Sequence, residues 1–118
     1  MALEDKAREL GRMIGQSDEY RAVTRANEGL ANDAEATAVL RQMETLRLDA
    51  QSMLQRGEEP TKDMEQQLDD LLTKVQGSPS YQRVAVAQEN LDKVMRLVND
   101  WISDGITKGA QSSIITLG

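Results

Sequence analysis

One pattern occurs twice in this chain. Leu10, Ile14, Ser17, Tyr20, Val23, Ala26 and Leu30 are matched, at a constant offset of 61 positions (78 − 17), by Leu71, Val75, Ser78, Tyr81, Val84, Ala87 and Leu91. Apolar residues at helical spacing coincide readily by chance, but the chain has only two tyrosines, and each stands three residues after a serine that follows an apolar run. Each copy describes a helix, a serine-capped break and a second helix. A chain with this plan folds into paired helical units, and a scaffold of paired helices acts by binding.

The rest of the pattern fills in the other helices. Leu3, Ala7, Leu10 and Ile14 recur at four, three and four residues and make an amphipathic helix that stops near Gly15. Ser17 caps a second helix carrying Tyr20, Val23, Ala26 and Leu30. Asn32, followed by Glu35, resembles a capping box and opens a third, whose stripe of Ala36, Val39, Met43, Leu46, Ala50 and Met53 ends at Gly57. Met64, Leu68, Leu71 and Val75 mark a fourth, closed by Gly77. Ser78-Pro79 is the strongest start signal, a capping serine before a proline at the first helical position, where a missing N–H costs nothing.

The final helix carries the longest seam. Val84, Ala87, Leu91, Val94, Val98, Trp101 and Gly105 keep three-four spacing, and Met95 and Ile102 widen the apolar face. That length favours coiled-coil-like contact with another helix. Only Ile114-Ile115-Thr116-Leu117 resembles a strand, and it is too short and too terminal to found a sheet. The expected fold is all-α: an antiparallel helical bundle of four to five helices with a long C-terminal helix, in a single domain over residues 1–108. Residues 109–118 form a C-terminal tail, in which Ile114, Ile115 and Leu117 are the side chains suited to docking.

Composition sets the chemistry. The 118 residues include no cysteine, histidine or phenylalanine, 3% are aromatic and 29% are charged, with a net charge of −6. The core is therefore built from small aliphatic side chains, and a protomer of this size and make-up buries little alone, which favours self-association. Without cysteine or histidine there are no disulfides, no Ser-His-Asp or Cys-His nucleophile and no histidine- or cysteine-held metal. No cofactor is expected. The acidity opposes nucleic acid and an anionic membrane surface as partners. No apolar stretch approaches the roughly 20 residues a bilayer requires, and Met1-Ala2-Leu3-Glu4-Asp5 lacks the basic start of a signal peptide, so a cytoplasmic location is expected.

Carboxylates are the remaining route to catalysis. All-helical nucleotide pyrophosphohydrolases hold magnesium with Glu-x-x-Glu on one helix and Glu-x-x-Asp on another; Glu89 and Asp92 supply the second half, but no Glu-x-x-Glu occurs. This magnesium-dependent enzyme is the alternative to a non-enzymatic reading. Glu89 and Asp92 also stand four residues before Lys93 and Arg96, as Glu4 and Asp70 do before Arg8 and Lys74, the spacing of solvated helix-surface pairs. Arg8, Arg12, Arg21 and Arg25 make a small basic patch, with Glu4, Glu9 and Glu28 as nearby partners and no interleaved aromatic platform for single-stranded RNA. Ser17, Asn32 and Ser78 are assigned as structural caps, with no catalytic or metal residue. The assigned interface is Val84, Leu91, Val94, Met95, Val98, Trp101 and Ile102, with a homodimer as the expected assembly.

Leu10-Gly11-Arg12-Met13-Ile14, then Ser17-Asp18-Glu19-Tyr20, resembles the opening of the YlbF/YmcA-type family of small helical bacterial regulators. The likeness continues through Ala26, the Asn32-Asp33-Ala34-Glu35-Ala36 start, the Gly57 break and Ser78-Pro79-Ser80-Tyr81, down to about Lys108. The resemblance implies an all-helical protein that acts through protein partners, in a family linked to competence, sporulation, biofilm formation and messenger RNA maturation through an endoribonuclease. Some relatives carry cysteines that help hold iron–sulfur clusters. This chain has none and is similar to the cysteine-free members, so that activity is not carried over.

Overall fold

The computed structural model describes residues 2–117, with side chains described as far as residue 111. They form five helices: α1 (Ala2–Gly15), α2 (Asp18–Ala31), α3 (Ala34–Gln55), α4 (Lys62–Gln76) and α5 (Pro79–Leu117), with no strand among the described residues. Each helix boundary has a local cause. The Ser17 hydroxyl accepts from the Tyr20 N–H at 3.2 Å and caps α2, while donating to the Ile14 carbonyl at 2.6 Å, so one side chain ends α1 and begins α2. Gly57, at φ +80°, ends α3 in a Schellman motif, with the Glu58 N–H on the Met53 carbonyl and the Gly57 N–H on that of Leu54. Thr61 caps α4 by accepting from the Met64 N–H at 3.1 Å.

One cap differs from expectation. Asn32 closes α2, its backbone N–H on the Glu28 carbonyl, and the cap of α3 is Asp33. The reason is backbone conformation: Asn32 is still in the right-handed helical region, whereas Asp33 is extended and aims its carboxylate at the Ala36 N–H, 3.1 Å away. Ser78 precedes Pro79 as expected, and its carbonyl accepts the Gln82 N–H at 3.0 Å. Its hydroxyl meets that of Ser80 at 3.1 Å.

The sequence repeat survives as geometry. Gln16 N–H bonds the Arg12 carbonyl as Gly77 bonds Thr73, Ser17 bonds Ile14 as Ser78 bonds Val75, and Arg21 bonds Ser17 as Gln82 bonds Ser78. These backbone bonds correspond one to one, but the side-chain bonds differ: the Ser17 hydroxyl caps α2 at the Tyr20 N–H, whereas the Ser78 hydroxyl, expected as the cap of α5, meets that of Ser80. Tyr20 and Tyr81 lie in the first turns of α2 and α5. Beyond them the copies diverge: the chain breaks at Asp33 after α2, while the corresponding stretch of α5 continues without interruption and passes through Gly105 and Gly109.

The helices pack as two pairs. α2 lies on the first half of α5, and α3 on α4; the other neighbours meet mainly near their joints. The α2–α5 pair is antiparallel, because Ser80 at the start of α5 donates to Asp33, just past the end of α2, at 2.7 Å. In the α3–α4 hairpin Met53 and Met64 border one cleft and Val39 and Val75 another. The buried residues are few: Ala36, Val39, Val75, Ala87 and Val98, with Ser80 as the buried polar side chain. Most cluster where α3, α4 and α5 converge.

The outcome is an open shape. The radius of gyration is 22.0 Å, with extents of 69 × 37 × 23 Å, against about 13.5 Å for a compact chain of this length. α5 has 39 residues, about 58 Å at helical rise. Residues 109–111, expected in a tail, lie within α5. Docking by Ile114, Ile115 and Leu117 lies outside the described side chains.

Candidate functional site

The seam of α5 divides in two. From Tyr81 to Val98 its periodic positions are half-buried or buried: Val84, Leu91 and Val94 are half-buried, and Ala87 and Val98 fully so. After Val98 every described residue is exposed. The boundary follows from length, since α2 has 14 residues and covers about 21 Å of its neighbour. The seven expected interface residues separate accordingly. Val84, Leu91, Val94 and Val98 are taken up within the α2–α5 pair, whereas Met95, Trp101 and Ile102 are exposed, Trp101 to 65%. Ile106, four residues beyond Ile102, joins them at 67% exposure; the same spacing rule points to it.

Other apolar surface is also open. α1 has no buried residue: Leu3 and Met13 are exposed, and Leu10 and Ile14 half-buried. Between α2 and α5 runs an open trough of about 730 Å³ floored by Ala22, Ala26, Gly29 and Val86 and edged by Arg25 and Arg83. A compact monomer of 13.1 kDa exposes about 6,400 Å². This chain exposes 9267 Å².

The polar groups serve the fold and the helix surfaces. The Ser80 hydroxyl, with the Ala36 and Glu35 N–H groups, holds the Asp33 carboxyl below its ordinary range. The Arg47 guanidinium, hydrogen-bonded to Glu44, lowers that carboxyl and is itself raised. Glu4 pairs with Arg8 at 2.5 Å, but Glu9 pairs with Lys6 rather than an arginine. Glu89 pairs with Lys93 at 3.8 Å, whereas Asp92 and Asp70 accept from Gln88 and Gln66, one turn earlier, rather than from Arg96 and Lys74.

Chemistry finds little to work with. Among the described residues no three acidic side chains converge to hold a metal ion, and Glu89 and Asp92 are engaged along their own helix. The chain has no thiolate for an iron–sulfur cluster. Ser17 and Ser78 hydroxyls are tied to the joints. Among the described residues no helix is long and apolar enough to cross a membrane. What the arrangement offers is surface: apolar helix faces in search of cover.

Comparison with known proteins agrees in extent with the repeat and the long helix. The family model described as control of competence regulator ComK, YlbF/YmcA, matches residues 3–107. A UPF0342 protein of Limosilactobacillus reuteri is 26% identical over 102 residues, 86% of this chain and 83% of its own length. One from Leuconostoc mesenteroides is 21% identical over 104 residues, covering 88% and 89% of the two chains. One from Streptococcus suis reaches 36% identity over 75 residues, 64% of this chain and 67% of its own.

Proposed function

Because this chain belongs to the YlbF/YmcA family, linked to control of the competence regulator ComK, we propose that it is a non-enzymatic cytoplasmic adaptor that works as a homodimer through protein–protein contacts. The observation that carries this reading is the exposed apolar stretch of α5, Met95, Trp101, Ile102 and Ile106, on a chain with only five buried apolar residues among those described. Soluble monomers rarely leave a contiguous apolar surface of this kind open. The distal helix gives the dimer a coiled-coil-like seam, and the dimer is the form that presents a combined surface to a regulatory partner, in developmental control or RNA processing.

Light scattering across a concentration series tests the assembly: a dimer at tens of micromolar is expected, and a monomer overturns it. Trp101→Asp places a charge on the open face without disturbing a buried position, so it yields a folded monomer. That variant is expected to lose the regulatory output which the wild-type chain restores in a strain lacking it. Nucleotide turnover with magnesium by the purified chain would overturn the non-enzymatic reading.

A further inference from the structure

The repeat extends further than its capped joints. At the same offset of 61, Leu3, Ala7, Leu10 and Ile14 of α1 correspond to Met64, Leu68, Leu71 and Val75 of α4. Of these residues of α4, Met64, Leu71 and Val75 border clefts shared with α3; Met64 and Leu71 are half-buried and Val75 is 1% exposed, while Leu68 stays exposed. The same four positions of α1 are half-buried at best, and Leu3 is 83% exposed. α1 is thus an α4 without its α3.

The second unit also contains an equivalent of α3. Allowing one residue for the break at Asp33, Ala36, Val39 and Leu40 fall on Val98, Trp101 and Ile102 (98 − 36 = 62), so the distal half of α5 occupies the place of α3. Ala36 and Val98 are both buried. Beyond them the likeness in burial ends: Val39 is covered by the hairpin, and Trp101 is open. α2 and α5 lie antiparallel, as two units related by an approximate twofold must, and that relation matches α3 on α4 with distal α5 on α1. Within one chain the second pairing is not made.

Resting on the dimer reading above, we propose that the apolar face of α1 docks on the distal half of α5 of a second copy, reciprocally, so that each α1 covers its partner's Trp101 and Ile102. Area favours a second copy over closure of α1 on its own α5. The chain exposes 9267 Å², roughly 2,900 Å² above a compact monomer and so about 5,800 Å² for two copies, and obligate homodimers bury about 2,000–5,000 Å² or more in total over both partners. Closure of α1 on its own α5 and exchange between copies hide one such face per chain alike, but exchange also brings both long helices into one isologous interface and so takes up more of the excess.

The absence of cysteine makes the test direct. By analogy with the α3–α4 hairpin, position 10 of one copy lies opposite position 105 of the other; Gly105 has open space for a side chain. Full-length Leu10→Cys and Gly105→Cys are mixed and oxidised, and covalent dimers are expected in the mixture in clear excess over either variant alone. A disulfide within the chain of the Leu10→Cys/Gly105→Cys double variant, with none in the mixture, would overturn the exchange in favour of closure. Dimers by light scattering that cross-link through Gly105→Cys alone would also overturn it, leaving the dimer reading intact. Monomers throughout would overturn both. Trp101 supplies a second readout without cysteine: its emission is expected to shift to the blue as wild-type concentration rises, and Ala7→Asp, a change at an exposed position of α1, is expected to abolish that shift. Persistence of the shift in Ala7→Asp would exclude α1 from the interface.

Discussion

α1 and α4 carry apolar stripes at the same spacing, and they end at joints whose backbone bonds match, yet one is open and the other is largely packed. α4 follows α3 through a tight turn at Gly57 and Thr61, so the two helices meet as consecutive segments. The counterparts α1 and distal α5 lie at opposite ends of the described chain. An amphipathic pattern therefore specifies that a face requires cover and leaves open which helix supplies it. In α4 the cover is a sequence neighbour, and the face becomes core. In α1 it remains a surface.

That contrast can be broken most severely at Val75. Val75→Asp puts an unpaired charge where the side chain is 1% exposed, and is expected to destabilise the chain by on the order of 4 kcal/mol. Its counterpart Ile14→Asp is expected to cost much less in the dilute monomer. Urea unfolding of both at low concentration measures the difference, and equal losses would mean that α1 is as well covered as α4. The next effect is on assembly: Trp101→Asp is expected to leave the helical circular dichroism signal unchanged while shifting light scattering from dimer to monomer.

The joints give smaller effects, and they separate the two copies. Ser80→Ala removes the hydrogen bond that ties the start of α5 to Asp33 and is expected to lower the melting temperature by less than Val75→Asp does. Asp33 has a folded-state pKa below the ordinary 3.8, so its ionised form stabilises the fold above that value. This contribution declines as pH falls below 3.8 and is gone once the folded-state carboxyl is protonated. Thermal melts of Ser80→Ala are expected to show a shallower drop across that acid range than wild type, because Ser80 is the main cause of the shift; an unchanged drop would refute the link. The smallest change is Ser17→Ala, which removes a half-buried cap at the other joint and costs about 1 kcal/mol, with no altered acid response.

Much of the architecture was legible from local pattern. Ser17, Gly57 and the Ser78-Pro79 start mark helix boundaries because capping is decided by a few adjacent residues. The cap at Asp33 was misplaced by one position, because Asn and Asp are both good caps and only the backbone dihedral distinguishes them. The outward-facing part of the interface set, Met95, Trp101 and Ile102, follows from the length of the apolar seam. Val84, Leu91, Val94 and Val98 share that seam, and nothing in their spacing shows that α2 lies over them.

The order and ends of the helices, the aliphatic character of the core, the lack of thiol and imidazole chemistry and the twofold repeat all belong to the chain as written, since each depends on residue type and short-range spacing. Tertiary structure decided which stripe became core and which remained surface. That outcome depends on where the turns send each helix. The break at Asp33 ends α2 and starts α3, which the turn at Gly57 pairs with α4, while the counterpart of that break in α5 stays helical and carries Trp101 and Ile106 out beyond the reach of α2.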